Sequence, residues 1–347
     1  MAKKKILVTG GLGFIGSHTA VELIDAGYDV IIADDLSNSQ LFVLDRIEQI
    51  IAVRPSFYQI DVSDKEELCA LLEAEGNIDA IIHFAAFKAV GESVHEPIKY
   101  FHNNLFSLVI LLECMEQFHI KNIVFSSSAT VYGDPDVLPV TESTAFKKAL
   151  SSYGSTKQMG EEILEKTTAA KNIAAISLRY FNPVGAHSSA LIGELPLGVP
   201  NNLMPFIAQT AAGMREQLVV FGDDYDTPDG TCIRDYIHVV DLAKAHVKSC
   251  DRLISESVEN NYEAFNIGTG DGISVMEVIK AFEKYNDLKL NYKMGKRREG
   301  DAAAVYADVS KANNVLEWKA QLGLKEMVTS AWKWQQTFNP HTSVAKN

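Results

Sequence analysis

The 347-residue sequence predicts an α/β fold, in which a doubly wound parallel sheet is followed by a smaller, mixed α+β lobe. Strand-like and helix-like patterns alternate through the first half of the chain, which is typical of βαβ units. The strand-like runs are mostly apolar on both faces, as in a buried parallel sheet. After residue 182 the alternation ends, and residues 185–202 are rich in Gly, Pro and Asn. A second lobe is therefore expected there.

The elements of the first lobe follow one another at a spacing that suits right-handed crossovers. The predicted strands are residues 3–10, 29–34, 56–61, 79–86, 122–128 and 172–181. The predicted helices between them are residues 14–27, 65–75, 98–118 and 153–170. Residues 235–249 (DYIHVVDLAKAHVKS) are predicted as one long helix that returns to the first lobe, so that the two lobes interleave.

Composition and charge exclude several classes of partner. The chain is 47% hydrophobic and carries a formal net charge of −13, with a pI near 5.2. Such an acidic chain is a poor partner for nucleic acid or for an anionic membrane, although a few arginines can hold a small anion. Its four cysteines are scattered without a CxxC pair, which indicates reduced thiols in a cytoplasmic protein, and no metal site is predicted. No apolar run is long enough for a secretory or membrane segment.

The first strand ends in a glycine-rich turn, Thr9-Gly-Gly-Leu-Gly-Phe-Ile-Gly16, that leads into the first helix. Glycine permits a tight turn and lets the backbone approach a pyrophosphate closely. The helix N-terminus adds unpaired N–H groups and a partial positive charge. The turn therefore predicts a Rossmann-type dinucleotide site. Its predicted cofactor contacts are Gly10, Gly13, Phe14, Ile15 and Gly16.

A carboxylate at the end of the second strand indicates which dinucleotide is bound. Asp34 lies 18 residues beyond Gly16, where it can accept hydrogen bonds from the adenosine ribose hydroxyls. It would repel a 2′-phosphate, so NAD is favoured over NADP. Asp35 is adjacent and could share this role. Asp61, with Val62 beside it, ends the third strand, where it either flanks the adenine or caps a helix.

Three tyrosines are followed by a lysine four residues later, namely Tyr153, Tyr285 and Tyr292. A catalytic pair at this spacing must share one face of a helix. Tyr292 has a glycine within the spacing, and Tyr285 falls where a helix gives way to a strand. Tyr153 begins an uninterrupted helical pattern after the fifth strand and its loop. Ligands of open α/β sheets bind at the carboxyl ends of strands, so Tyr153 and Lys157 are predicted to lie beside a nicotinamide.

The predicted chemistry is proton removal by Tyr153. A free tyrosine has a pKa of about 10. To act as a base near pH 7 it needs a lower pKa, and the required fall corresponds to about 4 kcal/mol. A charge on Lys157 about 4–5 Å away, at an effective dielectric of ~20, supplies roughly 3–4 kcal/mol. An oxidised nicotinamide, which is also positive, could supply the rest. Ser128, the last of three serines ending the fifth strand, is expected to relay the proton from a substrate hydroxyl to Tyr153.

The turn and the Tyr153/Lys157 pair together resemble the extended short-chain dehydrogenase/reductase family. Further segments resemble the UDP-glucose 4-epimerases within it, and they cover nearly the whole chain in order. These segments are HFAAFKAVGESV (83–94), FSSSATVYGD (125–134), RYFNPVGAH (179–187), PNNLMP (200–205), RDYIHV (234–239) and RREGD (297–301).

The resemblance implies an isomerase that interconverts UDP-glucose and UDP-galactose through a 4-keto sugar, with tightly bound NAD and as a homodimer. Tyr153 would be the base, Lys157 its ribose-binding partner and Ser128 the relay. The remaining implied cofactor contacts are Phe84, Lys88, Asn103 and Tyr180. The implied contacts with the UDP-sugar, besides Ser128 and Tyr153, are Asn182, Asn202, Leu203, Phe221, Arg234, Arg298, Asp301 and Val305.

The expected domain division follows from these assignments. Residues 1–182 form the NAD-binding domain, with a returning segment near 235–265, and residues 183–347 form the interleaved UDP-sugar lobe.

Alternative functions remain. An epimerase of UDP-pentoses or UDP-uronic acids fits the same motifs. A sugar-nucleotide dehydratase needs an acidic residue at the positions after Ser128, which here are Ala129, Thr130 and Val131. A non-catalytic NAD-binding protein is a further alternative.

Two residues depart from the family pattern. Ala86 stands where relatives often have glycine, which is a small change in packing. Val305 stands where relatives strict for glucose and galactose carry a tyrosine that lines the sugar pocket. The shorter valine leaves room beside the sugar C2 substituent, so N-acetylated UDP-sugars are expected as additional substrates.

Overall fold

The structure is a computed structural model that describes residues 3–298 and 302–337. Its strands are β1 Lys5–Thr9, β2 Asp29–Ala33, β3 Ser56–Tyr58, β4 Ala80–His83, β5 Asn122–Ser128, β6 Ala174–Tyr180, β7 Asn182–Val184, β8 Leu218–Phe221, β9 Ile233–His238, β10 Tyr262–Ile267, β11 Gly272–Ser274, β12 Tyr292–Gly295 and β13 Ala304–Val305.

The helices pack on both faces of the main sheet and around the smaller lobe. They are α1 Phe14–Asp25, α2 Phe42–Ile51, α3 Lys65–Glu75, α4 Val90–His95, α5 Pro97–Gln117, α6 Ser152–Ala170, α7 Leu203–Ala211, α8 Val239–Ile254, α9 Val275–Asn286, α10 Ser310–Val315 and α11 Leu324–Thr337, with a 3-10 turn at Ala129–Tyr132. Within the described ranges, none of these helices is both long enough and apolar enough to cross a bilayer.

Seven strands form one parallel sheet in the order β10-β6-β5-β4-β1-β2-β3. The strand order reverses beside β1, so the crevice between the carboxyl ends of β1 and β4 is the topological switch point where ligands bind in such folds. Both faces are buried. Ile6 and Val8 contribute to one core cluster and Leu7 to the other, which explains why the strands are apolar throughout. The predicted α/β fold is confirmed.

A smaller lobe lies at the carboxyl ends of these strands. β9 pairs in parallel with β7 and β13 and antiparallel with β11, and β8 pairs with β12 in a separate ribbon. A third core cluster joins α7, α9 and α11. Helix α8 packs against α1, and β10 adds to β6 in the main sheet, so the chain returns to the first lobe after entering the second.

The prediction of one helix over residues 235–249 is wrong at its start. Residues Ile233–His238 form the central strand of the small sheet, and the helix begins only at Val239. His238 ends the strand by accepting a hydrogen bond from the Val240 N–H at 3.2 Å, which is an N-cap contact. The buried Asp235 carboxylate accepts hydrogen bonds from the backbone N–H groups of Thr269 and Gly270, which hold the strand in the sheet.

Candidate active site

The glycine turn after β1 leaves no room for side chains. A Cβ on Gly16 would lie 2.3 Å from the Gly10 carbonyl oxygen, and Gly10 itself has φ +67°, which glycine adopts readily. The first hydrogen bond of α1 runs from the Ser17 N–H to the Gly13 oxygen at 2.9 Å. The N–H groups of Phe14, Ile15 and Gly16 thus precede the helical ladder and face the end of the turn. This glycine-lined cradle fits a pyrophosphate.

Asp34 is buried and braces this turn from β2. Its carboxylate accepts hydrogen bonds from the Leu12 N–H at 2.9 Å, the Leu36 N–H at 3.0 Å and the Ser39 hydroxyl at 2.6 Å. A carboxylate offers about four acceptor positions, so capacity for a ribose hydroxyl remains. Asp35 is engaged with Ser37, whose N–H and hydroxyl lie 2.9 and 2.7 Å from Oδ1.

The two alternatives for Asp61 are separated by the helix that follows. Helix α3 is capped by Asp64, which accepts hydrogen bonds from the Glu66 and Glu67 N–H groups. The N-cap alternative for Asp61 is therefore wrong. Asp61 instead accepts hydrogen bonds from the Ser63 N–H at 2.8 Å and the Ser63 hydroxyl at 2.7 Å, close to the buried Val62.

Ser128, Tyr153 and Lys157 come together where β5 ends against the first turns of α6. Tyr153 is hydrogen bonded to Ser128, and both side chains are only 8% exposed. Lys157 donates a hydrogen bond to the Ser126 carbonyl oxygen at 2.5 Å, and its Nζ lies 5.6 Å from the Tyr153 ring centroid. Ser151 begins the helix by accepting a hydrogen bond from the Gly154 N–H at 3.1 Å. The tyrosine and the lysine are thus fixed on one face of a capped helix.

Burial dominates the electrostatics of this pair. Burial raises the pKa of Tyr153 to about 12, although the hydrogen bond with Ser128 opposes the rise. Burial also lowers the pKa of Lys157 to about 7, against the opposing charge of Glu161. In the chain by itself, burial therefore outweighs the lowering of the Tyr153 pKa that is expected from Lys157, because the charge argument left out the loss of hydration. Tyr153 needs an additional positive charge before it can act as a base near neutral pH.

The other predicted cofactor contacts surround the same strand ends. The Phe84 ring follows β4 and packs against His246 at 4.7 Å between centroids, and the Tyr180 hydroxyl at the end of β6 is hydrogen bonded to Ser126. The Asn103 side chain on α5 donates to its neighbour Asn104 at 3.0 Å, and Asn104 in turn binds Thr156 of α6.

Lys88 and Asn202 meet at a residue that sequence reasoning missed. The Asn202 amide donates to the Glu194 carboxylate at 2.6 Å, and the Lys88 Nζ lies 3.5 Å from the same oxygen. Trp334 donates to the Glu194 backbone oxygen at 3.0 Å and holds that segment in place. Glu194 therefore joins one predicted cofactor contact to one predicted substrate contact. It lies in the irregular loop before α7, and nothing in its local sequence marks it.

The predicted sugar-nucleotide contacts lie on the small lobe. Asn182 begins β7, Leu203 begins α7, and Arg234 and Val305 are paired opposite each other on β9 and β13. Val305 packs against a cluster near the 3-10 turn that follows Ser128. Two further contacts are exposed, namely Phe221 at the end of β8 and Arg298. Asp301 lies outside the described residues.

Comparisons with known proteins indicate the family of this chain. The GDP-mannose 4,6 dehydratase family model matches residues 7–331. The UDP-glucose 4-epimerase of Bacillus subtilis (strain 168) is 50% identical over 333 residues, which cover 96% of this chain and 97% of that protein.

Two solved structures are similar along their whole length. UDP-glucose 4-epimerase from Bifidobacterium longum, in complex with NAD+ and UDP, has a TM-score of 0.92 and 49% identity, and the match covers 97% of this chain and 99% of that chain. The enzyme from Stenotrophomonas maltophila, with bound NAD and formylated UDP-arabinopyranose, has a TM-score of 0.94 and 46% identity, with coverages of 99% and 100%. The chain therefore belongs to the UDP-glucose 4-epimerase family.

Proposed function

We propose that this chain is a UDP-sugar 4-epimerase that interconverts UDP-glucose and UDP-galactose through a 4-keto sugar, with tightly bound NAD. One observation carries the proposal. A buried Ser128–Tyr153–Lys157 set lies at the same edge of the main sheet as a glycine cradle, in a chain that is about half identical to UDP-glucose 4-epimerases along its length.

The cofactor is held by the first lobe. The turn from Gly10 to Gly16 supplies N–H groups to the pyrophosphate, and Asp34 accepts a hydrogen bond from the adenosine ribose. Asp61 and Val62 flank the adenine. Lys157 donates to the nicotinamide ribose, and the contact is completed by Phe84, Lys88, Asn103 and Tyr180. NAD supplies the acceptor and later the donor of the C4 hydride.

The substrate is held by the second lobe. Arg234 and Arg298 bind the diphosphate, which suits the bidentate geometry of guanidinium groups. Asn182 and Asn202 donate hydrogen bonds to the phosphates, whereas Leu203, Phe221 and Asp301 contact the uridine. The nucleotide stays anchored by these residues while the sugar turns.

The protein residues move the proton in this reaction. Ser128 accepts a hydrogen bond from the C4 hydroxyl and passes the proton to Tyr153, which acts as the general base. Lys157 and a bound oxidised nicotinamide would each add a positive charge, and together these charges would offset the burial that raises the pKa of Tyr153. The 4-keto sugar then rotates about its bond to the diphosphate, and Tyr153 returns the proton after the other face has been reduced.

The name of the matching family model suggests a dehydratase as an alternative function. That reaction requires an acid near C5 and C6, and the residues after Ser128 are Ala129, Thr130 and Val131. None of them carries a carboxylate, which favours the epimerase. Epimerases of UDP-pentoses or UDP-uronic acids share all the groups named above, and only substrates distinguish them.

The test is a turnover assay on the purified protein without added NAD. UDP-galactose, UDP-GalNAc, UDP-xylose and UDP-glucuronic acid are supplied separately, and each product is analysed for its C4 epimer. Formation of UDP-glucose from UDP-galactose is expected. If a UDP-pentose or UDP-uronic acid is turned over instead, the alternative substrate class holds. If no C4 epimer forms from any of them, the proposed function is wrong.

The Val305→Tyr variant tests whether the valine admits N-acetylated sugars. Val305 lies on β13 against the cluster beside Ser128, so a larger side chain there is expected to crowd the sugar C2 substituent. The ratio of UDP-GlcNAc to UDP-glucose turnover is expected to fall about tenfold or more, which corresponds to a steric cost of roughly 1–3 kcal/mol. Val137→Tyr, at a position that is 72% exposed, is the matched control. An unchanged ratio in Val305→Tyr would refute the specificity proposal.

We also propose a homodimer in the cytoplasm. Apolar side chains on α4, α5 and α6 are unusually exposed, including Val94 at 55%, Ile98 at 77%, Phe106 at 47% and Met159 at 43%. A second copy that covers α5 and α6 would remove this area from water. All four cysteines are free thiols, which suits a reducing compartment.

A further inference from the structure

The geometry points to Glu161, paired with Arg179, as the positioning residue that keeps Lys157 charged during turnover. This inference rests on the proposed function and adds a residue that the proposed mechanism does not use. Glu161 lies four residues after Lys157 on α6, so the two side chains share one face of the helix and are neighbours. Both are buried, with exposures of 3% each.

Glu161 is held in place by three strands of the main sheet. Arg179 on β6 donates from Nε to both carboxylate oxygens, at 2.9 and 3.1 Å, and from Nη2 at 2.7 Å. Ser127 on β5 donates its hydroxyl to Glu161, and the Tyr262 hydroxyl on β10 donates at 2.9 Å. A carboxylate with this many donors has a fixed position.

The same network supports the catalytic strand end. Ser127 lies between Ser126, whose carbonyl accepts the Lys157 hydrogen bond, and Ser128, which is hydrogen bonded to Tyr153. Arg179 also donates to the Tyr132 hydroxyl at 3.0 Å, in the 3-10 turn that follows Ser128. The pair therefore braces both the helix that carries Lys157 and the strand that carries Ser128.

Glu161 is the one acidic group among the titratable side chains that face Lys157 in the described part of the chain. The others are His83 on β4 and Tyr153 on α6. Burial lowers the pKa of His83 to about 3, so that ring is neutral, and burial raises the pKa of Tyr153 to about 12. Burial also lowers the pKa of Lys157 to about 7, and Glu161 opposes this fall. Without the carboxylate, Lys157 loses its proton at a lower pH.

The test is the pH profile of UDP-galactose turnover in Glu161→Gln. The alkaline limb of this profile is expected to move to lower pH by about one unit or more, because removal of a nearby opposite charge lowers the pKa of Lys157. KM is expected to change little, because the Glu161 side chain faces the main sheet and is not among the proposed contacts with the sugar nucleotide. Glu161→Asp keeps the charge and is expected to move the limb less. Glu165→Gln, an exposed carboxylate one turn further along α6, is expected to leave the limb unchanged.

A structural role alone gives a different result. Glu161→Gln would then lower turnover by the same factor at every pH, and an unmoved limb in the folded variant overturns the inference. If the unpaired Arg179 prevents folding, the double variant Glu161→Gln/Arg179→Gln removes both charges. It is expected to move the limb in the same direction but by less, because loss of the Arg179 charge partly offsets loss of the carboxylate. A limb that moves to higher pH there overturns the inference.

A second readout does not depend on turnover. The folded pKa of Lys157 lies below its unfolded value of about 10.4, so the unfolded chain binds more protons between these two values, and stability rises with pH in that window. Glu161→Gln is expected to extend the window below pH 7, so its unfolding midpoint rises more steeply with pH there than that of the wild type. The difference is expected to vanish when both proteins carry Lys157→Met, and a difference that persists contradicts the inference. If the wild type converts no UDP-sugar, the proposed function fails while this readout still tests the role of Glu161.

Discussion

Tyr153→Phe is expected to fold and to retain NAD, but to lose turnover by about 10²–10⁴-fold, which is the contribution of a positioned general base. The substitution removes one hydroxyl that is hydrogen bonded to Ser128, and it leaves the buried ring in place. The packing and the nearby Lys157 hydrogen bond to the Ser126 carbonyl are therefore preserved. The measurement compares kcat for UDP-galactose in the variant and the wild type, with the NAD content of both proteins determined after denaturation.

Tyr285→Phe is the matched control for this experiment. Tyr285 is also followed by a lysine at i+4, but it is 41% exposed near the end of α9 and far along the chain from the catalytic strand ends. Removal of the Tyr285 hydroxyl is expected to leave turnover unchanged. Near-normal turnover in Tyr153→Phe would contradict the assignment of the base, whereas loss of both turnover and NAD would indicate a structural role.

Gly16→Ala is expected to have the second large effect, this time on cofactor binding. The added Cβ would lie 2.3 Å from the Gly10 oxygen and 2.8 Å from the Gly11 Cα, and both contacts are with backbone that cannot rotate away. Overpacking of this kind costs about 1–3 kcal/mol. Because the displaced atoms form the pyrophosphate cradle, NAD affinity is expected to fall about 10–100-fold, by the usual ~1.4 kcal/mol per factor of ten.

The NAD content of the purified variant and its NAD dissociation constant measure this effect. Gly91→Ala is the control, since a Cβ at Gly91 meets nothing within 4 Å and alanine favours the helix α4 in which it lies. Wild-type NAD content in Gly16→Ala would show that the turn does not hold the pyrophosphate.

Most of the main sheet could be predicted from the sequence because its signals are local. The run of residues 122–128 and the helix Lys65–Glu75 are found with the predicted bounds. The helix predicted over 235–249 is wrong at its start because residues 235–238 are held by long-range contacts, such as those of Asp235 with Thr269 and Gly270. Helical periodicity over 15 residues cannot register such contacts.

The sequence predicted that Ser128, Tyr153 and Lys157 come together, but it did not predict that burial dominates their electrostatics. The positions of Tyr153 and Lys157 follow from helix spacing and from the order of the elements, both of which can be read along the chain. The rise in the Tyr153 pKa follows from burial, which depends on how several elements pack together. Glu161 does continue the i+4 spacing from Lys157, but its partner Arg179 comes from a different element, so only the fold reveals the pair.

The most direct test of the account follows the hydrogen at C4. UDP-galactose that carries deuterium at C4 is incubated with the purified protein in ordinary water, and the UDP-glucose formed is analysed by mass spectrometry and NMR. If hydride leaves C4 and returns within the same site, the product keeps its deuterium at C4, and this retention is the expected result. Replacement of the deuterium by hydrogen from water would show that C4 is inverted through a proton, and it would contradict the proposed mechanism.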